Sequence, residues 1–322
     1  MKHAHPDQMA MSYAYAPRYV VCFSGGHSSA LVAVEVVRRY GREGVVLLNH
    51  DINPRVEDQD VKRFKREMAE ALGLPITQAN HPRWEEWDQF DVVEHARAFK
   101  VKSGAELCTS RLKTEPFHGW LEEHAPPGTV TLFYGFDAKE TDRIRRRASI
   151  LGAQGYETAY PLAHWKRTIE STREIGVEPP LTYGTFKHAN CVGCLKAGWQ
   201  HWYIVFLTRP DIWERAKLAE ERIGYTIHRD GSLEEREAQF AEMQRAGVEP
   251  TERIPAGTFW ANARRAVRSL PVLQEERDER PCECVFIRPP KRGARDTTAC
   301  TCLAPPGTGH YLHCARVMGR AA

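Results

Sequence analysis

The chain has 322 residues with 42% hydrophobic and 27% charged residues, enough for one large domain with appendages or for two domains. Its 45 Lys and Arg against 42 Asp and Glu leave a net charge of only +3, so no global field demands a nucleic acid and any such partner must be argued from a local patch. Met1–Pro17 has no apolar core of the kind a secretory signal needs, and no stretch is apolar enough to span a bilayer; the expected compartment is cytoplasmic, with no membrane partner.

Taken in chain order, Tyr19–Phe23 reads as a first strand. Ser24-Gly25-Gly26-His27-Ser28-Ser29 then breaks it and opens an amphipathic helix, Ser28–Tyr40, whose apolar face carries Ala30, Leu31, Val34 and Val37. A glycine turn leading into a helix N-terminus points backbone N–H groups outward, where the helix dipole adds partial positive charge, so this place suits an anion. Val45–Leu48 is a second strand ending in Asn49-His50-Asp51, and Val56–Leu72 a second helix closed by Gly73. A short strand is expected around Ile76, a helix over Asp88–Phe99, a strand over Thr129–Tyr134, a basic helix over Ala138–Leu151 and a last short strand over Ala159–Leu162. Apolar strands alternating with amphipathic helices predict an α/β fold, a mostly parallel sheet with helices on both faces. Ligands of such sheets lie beyond the carboxyl ends of the strands, where Ser24–Ser29, Asn49–Asp51 and Gly135–Asp137 all fall.

From about Arg209 the pattern is helical: Ile212–Ile223, Leu233–Ala246 and Phe259–Leu270. His201-Trp202, Trp199 and Tyr203 read as packing aromatics rather than a base-stacking platform. Pro281–Ala322 is a Cys-, Pro-, Gly- and Arg-rich tail. The resulting division is an N-terminal extension (1–17), a nucleotide-binding catalytic domain (18–205), a helical extension (206–280) and the tail (281–322).

Four motifs in order carry a family resemblance. Ser24-Gly25-Gly26-His27-Ser28-Ser29 resembles the SGGxDS loop of the PP-loop ATP-pyrophosphatases (adenine nucleotide α-hydrolase-like, Rossmann-like proteins), with Ser28 standing where that family usually has Asp. Cys108-Thr109-Ser110-Arg111-Leu112-Lys113-Thr114-Glu115-Pro116 resembles the C-T-x-x-L-K-x-x-P segment of the phosphoadenylylsulfate (PAPS) reductase-like branch. Gly135-Phe136-Asp137-Ala138-Lys139-Glu140-Thr141-Asp142-Arg143 is similar to that branch's G-x-R-x-x-E-S segment, with Asp137 in place of the first Arg. Asn190-Cys191-Val192-Gly193-Cys194 resembles its C-x-x-C, and Tyr160-Pro161-Leu162 with Trp165 its connecting segment.

The resemblance implies ATP with Mg²⁺ held by Ser24, Gly25, Gly26, His27, Ser28, Ser29, Asp51 and Gly135. Lys113, Arg143 and Glu140 are the expected catalytic group, the cations on phosphate oxygens and Glu140 orienting an Arg or holding Mg²⁺. Lys139, Arg145, Arg146 and Arg147 extend the positive region, or form a solvated helix face. Cys22 reads as a small buried residue. Cys191 and Cys194 with Cys108 as a third thiolate suit a 4Fe–4S cluster, known in tRNA-thiolating members of the superfamily; with His188 as fourth ligand they suit zinc, and two structural thiols beside an unrelated Cys108 are the plain alternative. In the tail, Cys282, Cys284, Cys300 and Cys302, with His310, His313 and Cys314 nearby, suit a zinc clip or are free thiols. The implied activity is an ATP-dependent nucleotide- or nucleic-acid-modifying enzyme, a sulfurtransferase that adenylates a tRNA or DNA acceptor and takes sulfur from a donor protein. The alternatives are a PAPS or adenylylsulfate reductase and a non-catalytic nucleotide-binding subunit of a modification or defence complex.

Overall fold

The computed structural model describes residues 17–101, 104, 106–268 and 270. Five parallel strands form one sheet: β1 (Tyr19–Cys22), β2 (Val45–Asn49), β3 (Ile76–Gln78), β4 (Thr131–Phe133) and β5 (Glu157–Ala159), in the order β3-β2-β1-β4-β5. The expected α/β architecture with a parallel sheet is therefore observed. The chain builds outward from β1 to β3, then returns to place β4 on the other side of β1. Loops leaving β1 and β4 consequently part in opposite directions and open a crevice at the carboxyl edge.

Period-two side-chain alternation decides what covers each face. Val21, Phe23, Val45, Leu47 and Phe133 pack under α1 (His27–Tyr40) and α2 (Gln59–Leu72). Their neighbours Val20, Val46, Leu48, Leu132 and Tyr134 pack with Phe117, Trp120 and Leu121 of α5 (Glu115–His124) and Leu151 of α6 (Thr141–Gly152). Both faces are thus apolar and covered, as a parallel sheet requires.

A third cluster lies beside the sheet. It joins Phe90, Val92 and Val93 of α3 (Gln89–Ala96) to Trp199, Trp202 and Tyr203 of α8 (Trp199–Thr208), Ile212 and Trp213 of α9 (Pro210–Ile223), Phe240 of α10 (Leu233–Arg245) and Phe259 of α11 (Ala256–Ala266). Residues on both sides of the expected 205/206 boundary share this core, and α8 runs across it. Trp199 through Val205 are all buried because α8 is mostly apolar and is enclosed on every side, its polar Gln200 and His201 being hydrogen-bonded inside the protein.

Several boundaries differ from expectation for local reasons. α2 begins at Gln59 rather than Val56, because the Asp58 carboxylate caps it by accepting the Asp60 N–H. α6 begins at Thr141 rather than Ala138: Glu140 N–H donates to the Asp137 carbonyl and the Glu140 carboxylate accepts the Asp137 N–H, closing a turn first. Pro161 opens a short helix, α7 (Pro161–His164), so the last strand ends at Ala159. Leu107–His124 is helical although no element is expected there. α4 (Leu107–Thr109) passes through a π-helical segment, Ser110–Thr114, into α5, and Pro116 falls just beyond that segment. Among the described residues no helix is long and apolar enough to cross a membrane.

Candidate functional site at the carboxyl edge of the sheet

The loop after β1 is shaped by what lies beneath and beside it. Gly25 has φ +82°, and a Cβ there would lie 2.5 Å from Cε of Lys65. Only glycine combines that backbone with that close approach. On the other side Gly135, in the loop after β4, approaches so closely that an added Cβ would sit 2.9 Å from the Ser29 nitrogen and 3.0 Å from the Ser28 carbonyl carbon. The two loops flanking the crevice are therefore in backbone contact, and the sequence-predicted residues Ser24, Gly25, Gly26, His27, Ser28, Ser29 and Gly135 come together at the start of α1.

No side chain caps α1 at Gly26. The first N–H groups of a helix have no acceptor within it, and that of His27 is taken by the Tyr183 hydroxyl at 3.0 Å. Ser29 Oγ donates to the Gly26 carbonyl at 2.8 Å and lies 3.3 Å from Ser24 Oγ. Ser24 and Ser28 are exposed into the crevice. His27 is turned the other way: its Nε2 accepts the Thr172 N–H at 3.2 Å, tying the segment after α7 to the loop. Burial, aided by Arg173, lowers the His27 pKa below its ordinary value of 6.5. The unfolded chain then takes up a proton that the folded one refuses. The resulting stability is complete above pH 6.5 and is lost as pH falls from there through the folded-state pKa. An NMR titration of the His27 ring is expected to give a midpoint below 6.5, and His27→Gln is expected to flatten the acid limb of stability in that window.

The floor is a buried polar chain. Asn49, at the end of β2, donates to the Phe23 carbonyl at 2.6 Å and accepts from Lys65 Nζ at 3.2 Å. Lys65, only 4% exposed, meets Glu57 at 2.6 Å; Glu57 meets Lys62 at 3.1 Å; Lys62 meets Asp51 at 2.5 Å. Asp51 is thus at the rim but engaged, and its backbone N–H is accepted by Asn80. Lys65, Glu57 and Tyr183 were not expected from sequence. Lys65 carried one signal: it sits on the buried stripe of α2 with Val61, Phe64, Met68 and Leu72.

The loop after β4 carries the other expected groups. Glu140 pairs with Arg143, whose guanidinium lies 4.2 Å from the Phe136 ring centroid. Asp137 pairs with Arg167 at 2.9 Å, and the Lys139 N–H together with Arg167 holds its carboxyl below the usual range. Arg145 and Arg146 are exposed, whereas Arg147 is buried against the Tyr134 and Phe136 rings. Cys22 lies below them, and burial pushes its thiol up to about 11, so it stays protonated and inert as a nucleophile.

Lys113 lies half-buried in the π-helical segment, and Cys108 precedes it at the edge of the helical core. Cys191 borders the same core. The Cys191–Cys194 loop is pinned by the Val192 N–H on the Val56 carbonyl, by Gln89 on the carbonyls of Val192 and Gly193, and by the Gly193 N–H on His201 Nε2, which Glu252 orients from Nδ1 at 3.1 Å. None of Cys22, Cys108, Cys191 and Cys194 is in a disulfide. Among the described residues no group of three or more His, Cys, Asp or Glu side chains is placed to hold a metal ion. The expected zinc ligands Cys282, Cys284, Cys300 and Cys302 lie outside the described residues.

No family model matches this chain. Over 206 residues it is 26% identical to the uncharacterized nin region protein ORF290 of Escherichia phage lambda, a match covering 56% of this chain and 67% of that protein.

Proposed function

We propose that this chain is an ATP-dependent enzyme of the PP-loop, PAPS reductase-like kind that adenylates a nucleotide or nucleic-acid acceptor with release of pyrophosphate, as the first step of a sulfur transfer. One observation carries the reading: at the switch point of the sheet two glycines, Gly25 and Gly135, bring two loops into contact around an α-helix N-terminus. A triphosphate there would lie against the N–H groups of Ser28 and Ser29 and the hydroxyls of Ser24 and Ser28. Arg143 and Lys113 are the cations assigned to its outer oxygens. The chain's contribution is orientation and charge stabilisation of the phosphates.

A second reading, a nucleotide-holding subunit without ATP cleavage, is favoured by the rim carboxylates. Asp51, Asp137 and Glu140 are each already paired with Lys62, Arg167 and Arg143, and Ser28 supplies no carboxylate for Mg²⁺. The two readings separate in one assay. The full chain is incubated with Mg²⁺ and α-labelled ATP, with and without tRNA or single-stranded DNA. Acceptor-dependent pyrophosphate release with the α-label transferred one for one to the acceptor as an adenylyl group is the expected result. Tight ATP binding with no pyrophosphate under any acceptor selects the holding subunit, and absence of ATP binding removes both readings.

A further inference from the structure

Next along the same carboxyl edge lies a cavity that the ATP reading leaves unused. The chain leaves β3 as Ala79-Asn80-His81-Pro82-Arg83-Trp84, and Asn80 ties this exit to Asp51 at the end of β2. The ends of β1 and β3 are two strand spacings apart, about 10 Å. The cavity, about 430 Å³, is lined by His81, Arg83, Trp84 and His95 on one side and by Leu107, Arg111 and Glu115 on the other. That volume is in the range of small-molecule sites. The far wall is the helix interrupted by the π-helical segment Ser110–Thr114, a distortion that recurs at functional sites.

The lining combines positive charge with ring faces. Arg111 is paired with Glu115. Arg83 has no carboxylate partner among the described residues; its guanidinium lies 4.5 Å from the Trp84 ring centroid, and Nη2 donates to His95 Nε2 at 3.3 Å. The Arg83 backbone N–H donates to His81 Nδ1, which leaves the His81 N–H on Nε2. Trp84, Trp87 and His95 support one another edge to face, at 4.6 to 5.9 Å between centroids. A guanidinium over an indole, with imidazole rings beside it, suits a phosphate linked to a planar base.

We propose that this cavity binds a nucleotide unit, its phosphate on Arg83 and its base against the His81–Trp84–His95 rings. Binding here does not require ATP cleavage; only the further role of the cavity as the acceptor's seat rests on the proposed function.

The test uses the full chain and fluorescein-labelled single-stranded 12-mers, one DNA and one RNA, read by anisotropy across a salt series, with unlabelled AMP as competitor. Arg83→Gln is compared with Arg265→Gln, an equal charge loss on an exposed position of α11. The expected result is that Arg83→Gln weakens strand binding roughly tenfold or more and lowers the salt slope by about 0.7, the share of one phosphate contact on a single strand. Arg265→Gln is expected to match the unaltered chain. In calorimetry with ATP, the site at the Ser24–Ser29 loop is expected to be retained in all three proteins. AMP that binds with the same Arg83 dependence while neither strand binds assigns the cavity to a free nucleotide, which sustains the proposal. Equal behaviour of Arg83→Gln and Arg265→Gln, or a chain that binds neither strand nor AMP, overturns it. Loss of ATP binding alone strikes the proposed function and leaves this inference standing.

Discussion

Gly135→Ala is expected to weaken nucleotide binding at the carboxyl edge severely while leaving the protein folded. The added methyl group meets backbone, the Ser29 nitrogen at 2.9 Å and the Ser28 carbonyl at 3.0 Å, so no side chain can swing away to accept it. The loop after β4 must retreat, and the α1 N-terminus loses one wall of its cradle. Overpacking of this kind destabilises by about 1–3 kcal/mol, which a protein of this size can absorb. Displacing the donors by an ångström is expected to reduce ATP-dependent turnover by about a hundredfold, with affinity falling alongside it. Calorimetric titration with ATP, together with urea unfolding, measures both. Gly119→Ala is the natural comparison: the same change in the exposed middle of α5, with open space around it, is expected to stabilise by up to about 1 kcal/mol. Unchanged ATP affinity in Gly135→Ala would show that the nucleotide does not lie between these loops.

The contrast between those two glycines also marks what the sequence can reveal. Neither residue's surroundings are written locally, but Gly135 stands within a motif and at a predicted strand end, which marked it. The sheet was legible because Tyr19–Phe23, Val45–Leu48 and Thr129–Tyr134 are apolar on both faces and each is followed by a turn signal. Leu107–His124 was not, because Pro116 interrupts the helical pattern and the π-helical register that precedes it leaves no periodic trace. The loop Ser24–Ser29 announced itself through its glycines. Its supports did not. Tyr183 is 156 residues away from the N–H it accepts. Arg147, adjacent to two exposed arginines, is buried on aromatic rings for reasons only the packing of α6 against β4 supplies. Glu57 and Lys65 look like ordinary surface charges on either side of a helix start. What distinguishes them is the pairing under Gly25, a tertiary fact.

That pair leads to the largest expected stability effect. Glu57→Gln keeps the side chain's shape but removes the carboxylate charge facing Lys65, 4% exposed, and leaves its ammonium only neutral amide oxygens, the new one and that of Asn49. Removing one partner of a buried ion pair typically destabilises by roughly 3–5 kcal/mol, read here from urea unfolding at pH 7. The pH dependence identifies the cause. Burial lowers the Lys65 pKa below its ordinary 10.5, and the attraction of Glu57 works against that fall. Without Glu57 the folded-state pKa drops further. Between that value and 10.5 the unfolded chain holds the proton more tightly than the folded one, so stability rises with pH throughout this window. The deficit of Glu57→Gln relative to the unaltered chain is therefore expected to shrink steadily from pH 7 toward pH 10. A deficit that stays constant with pH would mean that Lys65 remains charged and solvated in the variant. The double change Glu57→Gln with Lys65→Met removes both charges and is expected to recover most of the loss, since a buried pair exchanged for apolar volume is often neutral. Nucleotide affinity is expected to follow a different order. Gly25 rests on the Lys65 stem at a distance only this side chain sets, so Lys65→Met is expected to restore stability more fully than it restores the loop.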